Sequence, residues 1–212
     1  MSKEKRIIDY YVICNKLKKI IRKGWLDWNV KQDRIESVAE HIYGTQMLAL
    51  ATYSEYDDYK DLDIYKVIIM LAIHELGETI IGDLTVYDIE KKEKEIIEHK
   101  AVHDILNGLV SGEELEKLFL EFDEHKTKES LFAYQCDKLE CDIQCKLYGE
   151  DNSVDLNEVK NINPLENNRV KKLIEQGKDW ATMWIENDQE VLPYDKNFLK
   201  ISNYILKNNI KK

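Results

Sequence analysis

Two prolines and eight glycines are all that punctuate this 212-residue chain, too few to close the many tight turns of a β protein. Long segments carry helical spacing instead. Ile7, Tyr11, Cys14, Leu17 and Ile21 form one apolar stripe, and Val38, Ile42, Thr45, Leu48 and Thr52 form a second. Phe132, Cys136, Leu139, Ile143 and Leu147 form a third, again in steps of three and four. The run VIIMLAI suits a buried strand as well as a helix, but good helix formers on both sides predict a buried central helix over 61–78. Further helices are predicted over 90–109 and 112–124, with breaks at Asn107-Gly108 and Ser111-Gly112. Residues 150–168 form a long Asn- and Asp-rich loop, 169–187 an amphipathic helix, and 198–212 a short docked or frayed helix. The expectation is an all-α helical bundle in a single domain over 1–212, with a core over about 4–148 and C-terminal helices from 169–212 packing on it.

Composition narrows the function classes. Hydrophobic residues at 43% and charged residues at 34% describe a globular chain long enough to bury a core. A formal charge of −10 argues against a nucleic-acid polymer as partner, because phosphate backbones call for a basic footprint. The N-terminus, interrupted by Asp9, Tyr10 and Tyr11, lacks the apolar core of a signal peptide, and the longest apolar run is too short to cross a bilayer. A cytoplasmic location with no membrane partner is therefore expected. Cys14, Cys136, Cys141 and Cys145 then read as reduced thiols; the last three lack the paired spacing of a structural zinc site.

Four residues stand out against this background. His41, His74, Glu75 and Asp137 each lie beside apolar neighbours in a segment of helical spacing, and each is of a type that binds divalent metal. The string HELGETIIGD, from His74 to Asp83, adds Glu78 and Asp83. Burying a lone carboxylate costs several kcal/mol or forces it to keep its proton. Helices that turn such groups inward make sense around a cation, which neutralises them once they deprotonate. Singly, each residue has a plainer account: a hydrogen-bonded core histidine, a buried ion pair of Asp137 with Arg34 or Lys138, a solvated Glu78, a loop Asp83.

The strings GWLDWNVKQDRIESVAEHIY (24–43), HELGETIIGD (74–83) and CDKLECDIQ (136–144) resemble the HD-domain metal-dependent phosphohydrolases, most closely their 5′-deoxynucleotidase branch. The resemblance implies an all-helical fold and one divalent transition-metal ion (cobalt, manganese, iron or zinc) held by His41, His74, Glu75 and Asp137. It implies Glu78 and Asp83 as the acid/base pair, in either order, and Arg22 and Trp25 as substrate contacts. The implied activity is cleavage of the phosphomonoester of nucleoside 5′-monophosphates, with deoxynucleotides expected. The family's usual His-Asp doublet is His74-Glu75 here, one methylene longer. That change leaves a second expectation open, a non-catalytic nucleotide or metal sensor with a degenerate site.

Other features carry alternatives. Trp25 serves core packing as readily as a sugar contact, and Arg22 suits a solvated surface. Arg34 and Glu36 match the relatives' pattern as residues that stiffen the approach to His41. His99, His103 and Asp104 raise a second metal site but fit a solvated helix face better, and Lys91, Lys92 and Lys94 an exposed helix start. Trp180, Trp184 and Ile185 form either core or the interface of a homodimer.

Overall fold

Side-chain caps, rather than prolines, set where the helices of this chain begin. The structure, a computed structural model, describes residues 1–85, 87–159 and 162–211. Its helices are α1 (Lys3–Cys14), α2 (Lys23–Asp27), α3 (Val38–Glu55), α4 (Ile64–Ile73), α5 (Glu78–Ile81), α6 (Lys91–Leu106), α7 (Gly112–Glu124), α8 (Lys128–Glu150), α9 (Asn168–Glu175), α10 (Trp180–Val191) and α11 (Lys196–Lys207), with short 3-10 turns at 15–18, 57–59 and 163–166. Extended pairing among the described residues is limited to one isolated bridge, Ile21 with Ser37. The all-α expectation holds.

The chain divides into two compact units, Met1–Lys23 with Glu36–Tyr134, and Gly24–Ile35 with Gln135–Lys212, where a single domain was expected. Helix α8 is unbroken across the boundary at Tyr134. In the first unit α3 packs on α4, α4 on α7, and α6 on both α5 and α7. Its core includes Ile73, Leu76, Val102, Ile105, Leu106 and Phe119. The second unit is built on Trp25, Trp28, Tyr148, Trp180 and Met183, with α9 on α10 and α10 on α11. The stripe of Trp180, Trp184 and Ile185 is thus part of this interior, with Trp180 and Ile185 fully buried.

Several helix assignments shift. Helix α1 turns Tyr10, Ile13 and Cys14 toward the core and leaves Ile7 and Tyr11 60% and 57% exposed. Apolar residues occupy more than half of its circumference, so periodicity alone does not select the buried face. The predicted helix over 61–78 stops at Ile73, for reasons that belong to the site. The stretch 169–187 is two helices, because Asp179 starts α10 afresh by accepting the Thr182 N–H at 3.0 Å. The tail is docked: Phe198 and Ile205 of α11 are buried.

Helix α3 begins with a reciprocal cap. Ser37 Oγ accepts the Glu40 N–H at 3.4 Å, and the Glu40 carboxylate accepts the Ser37 N–H at 2.9 Å. This fixes the entry of the helix one turn ahead of His41, and its buried face then follows as Val38, His41, Thr45, Ala49 and Thr52. Ser37→Ala is expected to lower stability by about 1 kcal/mol, read as a shifted urea midpoint with unchanged slope.

The second unit also buries two acids, Asp142 and Asp188. Tyr194 Oη donates to Asp142 Oδ2 at 2.9 Å, while Asp142 Oδ1 has no hydrogen-bond partner. Burial, and then the neighbouring Asp188 charge, hold Asp142 well above the usual carboxylate range; burial likewise raises Asp188. A folded-state pKa above the unfolded one gives stability that is complete below the unfolded value and lost as pH rises through the folded one. The protein is expected to weaken toward alkaline pH. Asp188→Asn, which needs no proton, should flatten that loss in melts recorded across pH.

Candidate metal and phosphate site

His74 is placed by the end of the most apolar helix in the chain. Asp63 starts α4 by accepting the Lys66 N–H at 3.1 Å, and the helix runs through buried Val67, Met70, Leu71 and Ile73. There the chain changes to i→i+3 bonding, Leu76 N–H to Ile73 O at 2.9 Å and Glu78 N–H to Glu75 O at 3.1 Å. The His74 ring takes up a carbonyl near the helix end: Nδ1 lies 2.8 Å from Leu71 O. A carbonyl only accepts, so Nδ1 carries the proton and Nε2 presents its lone pair. Gly77 is required at the next bend, since a Cβ would come within 2.6 Å of Glu98 Cγ. Gly82, at φ 77°, then turns the chain from α5 into the segment carrying Asp83.

His41 Nε2 lies 3.4 Å from His74 Nε2, and Glu75 Oε1 lies 3.8 Å and 3.6 Å from these two nitrogens. Both imidazoles are buried, His41 completely. Three atoms able to ligate a metal therefore converge inside the first unit, all within 4.8 Å. Two borderline nitrogens and one hard carboxylate suit a divalent transition metal, and a cation among them relieves their mutual repulsion. The residues present fit such an ion. The extra methylene of Glu75 leaves its carboxylate in the group. Asp137, on α8, is buried with 4% exposure and carries an ion pair to Lys138 Nζ at 2.9 Å, one of the alternatives weighed for it.

Around this centre the first unit assembles opposed charges. Arg22 Nη1 contacts Glu75 Oε1 at 3.1 Å, and both side chains are largely buried. The Arg22 backbone is fixed by its N–H to Glu36 O at 3.0 Å, and the following residue is pinned because Asp83 Oδ2 accepts the Lys23 N–H at 2.7 Å. Glu78 is 1% exposed with neither carboxylate oxygen hydrogen-bonded; its ion pair, to Lys94 Nζ, is 3.8 Å long. Burial, reinforced by the Glu75 and Asp83 charges, pushes Glu78 well above the usual range against the pull of Arg22 and Lys94.

Some expectations need correction. Trp25 is 2% exposed and surrounded by Tyr148, Trp180 and Trp184, with ring centroids 5.4, 6.3 and 5.3 Å away. This enclosure is the packing environment weighed as the alternative for Trp25. His99 contacts Asp123 at 2.7 Å and His103 contacts Glu116 at 3.0 Å, so each imidazole on α6 is matched to a separate acid of α7 rather than gathered for a second ion. Lys94 is no exposed helix start: its side chain is 27% exposed against 83% for Lys91. With Glu98 it continues the buried face of Ala101, Val102 and Ile105 toward the start of α6. Glu98 is lifted to about 7, by burial first and then by Glu75. Two charged residues in register with an apolar stripe were the signal in the sequence for this second wall of the site.

Residues 14–176 match the family model described as HD domain. The 5′-deoxynucleotidase HDDC2 of Dictyostelium discoideum is 35% identical over 147 residues, covering 66% of this chain and 76% of that protein. Its namesake from Mus musculus is 30% identical over 145 residues, covering 67% and 69%. Among solved structures, a conserved hypothetical protein from Pyrococcus furiosus superposes with TM-score 0.68 at 27% identity, covering 95% of this chain and 99% of that one. A protein from Magnetospirillum magnetotacticum MS-1, described as a predicted metal-dependent phosphohydrolase, shares the fold at TM-score 0.67 and 20% identity over 98% and 95%.

If the cluster binds a divalent ion, manganese or cobalt should raise the melting temperature of the wild type, since a ligand of the native state stabilises it by mass action. His74→Ala should lose most of that rise while keeping its helical circular dichroism.

Proposed function

The chain belongs to the HD-domain family, and from that footing we propose that it is a metal-dependent phosphohydrolase that cleaves nucleoside 5′-monophosphates, deoxynucleotides in particular. The substrate class follows from the relatives named 5′-deoxynucleotidase. The observation that carries the reading in this chain is the convergence of His41 Nε2, His74 Nε2 and Glu75 Oε1 beside a buried carboxylate without hydrogen bonds, Glu78.

We assign His41, His74 and Glu75 as ligands, with Asp137 as the fourth, a buried carboxylate carried on the unbroken α8. A divalent ion held there supplies charge neutralisation and Lewis acidity toward the phosphoryl group. Arg22 is oriented from three sides, by Glu36, by Glu75 and through Lys23 by Asp83, so its guanidinium is poised for a phosphate oxygen. Glu78 is the proton-transfer group: its oxygens make no hydrogen bond and burial raises its proton affinity, which suits it to take a proton from the attacking water or give one to the departing nucleoside oxygen. Asp83, committed to the Lys23 N–H, acts by positioning. Trp25 packs among the aromatic rings of the second unit.

No helix among the described residues is long and apolar enough to cross a membrane, and none of the four cysteines is in a disulfide, which supports a cytoplasmic site of action.

The test is inorganic phosphate release from deoxynucleoside 5′-monophosphates with manganese or cobalt. Glu78→Gln should cut kcat by about 10²-fold or more, the usual scale for a general acid–base group, while manganese still raises the melting temperature. Absence of release from every nucleotide across several metals would sink the reading.

A further inference from the structure

Lys94 faces Glu78 at a distance longer than a hydrogen bond, as in Lys91–Glu95, Lys128–Asp61 and Lys146–Glu150, but here the carboxylate is almost fully buried. Lys5–Asp9 and Lys66–Glu121 close to 2.7 and 2.6 Å, the distance of charge-assisted hydrogen bonds. Lys94 Nζ stops 3.8 Å from Glu78 Oε1, and among the described residues its ammonium makes no hydrogen bond. Protein acceptors among the described residues therefore leave its donors available to a ligand. The carboxylates of Glu75, Glu98, Glu78 and Asp83 more than offset the effect of burial, so the group stays charged. Glu78 is 1% exposed and Lys94 27%, so a ligand arriving from solvent meets the ammonium first. Its chemistry is set by what the site already holds. The acids Glu75, Glu98, Glu78 and Asp83 surround Lys94, and Arg22 is engaged with Glu75, so a phosphate dianion gains from a further cation beside them.

We propose that Lys94 is a substrate-binding residue whose ammonium donates to a non-bridging oxygen of the substrate phosphate, with the Glu78 charge keeping the lysine beside the site. This rests on the hydrolase reading above for its substrate and adds the residue that receives the phosphate.

Calorimetric titration of inorganic phosphate into the manganese-loaded protein tests it, beside steady-state kinetics on a deoxynucleoside monophosphate. Lys94→Met should weaken phosphate binding about tenfold or more and raise KM more than it lowers kcat. Lys94→Arg, which keeps the charge, should recover most of the affinity, and the manganese-induced rise in melting temperature should be unchanged in both. Where Lys94→Met does not fold, Lys94→Gln takes its place. Equal phosphate affinity in wild type and the neutral variants, or no phosphate binding by the wild type, overturns the assignment. Phosphate binding that depends on Lys94 in a protein that hydrolyses no nucleotide would instead overturn the hydrolase reading and uphold the phosphate site.

Discussion

The convergence of two buried imidazoles and a carboxylate is the constraint around which the first unit is organised. His41 Nε2, His74 Nε2 and Glu75 Oε1 approach within 3.4 to 3.8 Å. With the His74 proton committed to Leu71 O, its second nitrogen has only its electron pair to offer. A cation relieves the charge gathered there; Glu78 and Glu98 are both lifted above the usual carboxylate range, by burial first and then by the Glu75 charge. Local devices hold the donors in place: the Ser37–Glu40 cap ahead of His41, the change to i→i+3 bonding after Ile73, and the close approach of Gly77 to Glu98.

The cations are placed with equal care. Arg22 belongs to an otherwise irregular stretch, yet three contacts restrain it or its neighbour, and one of these comes from Asp83, at the far end of the HELGETIIGD string. Lys94 comes from α6, a helix whose sequence looks charged and solvated. A centre rich in carboxylates thereby gains basic side chains suited to an anionic substrate, which net charge alone would have argued against. The fold is shared with proteins only 20% to 27% identical, so the chemistry lies in these particular side chains rather than in the helical scaffold.

Much of this was legible in the chain. Scarce proline and glycine together with three- and four-residue spacing made the fold helical, and metal-ligating residue types inside apolar stripes marked His41, His74 and Glu75. Other features were not legible, for identifiable reasons. The stop of α4 at Ile73 depends on a side-chain hydrogen bond of His74 that no propensity encodes. The exposed face of α1 was ambiguous because its apolar residues are not confined to one side, and the burial of Trp25 is set by Tyr148, Trp180 and Trp184, more than a hundred residues away in the chain.

The sequence by itself determined the helical class, the ligand chemistry and the family pattern, because periodicity and residue type are local properties. Only the tertiary structure decided which charged groups share a volume: Arg22 with Glu75, Asp83 with the Lys23 backbone, Lys94 with Glu78. Those pairings join residues 16 to 60 positions apart. Burial and Coulomb energy depend on separation in space, which spacing along the chain does not record.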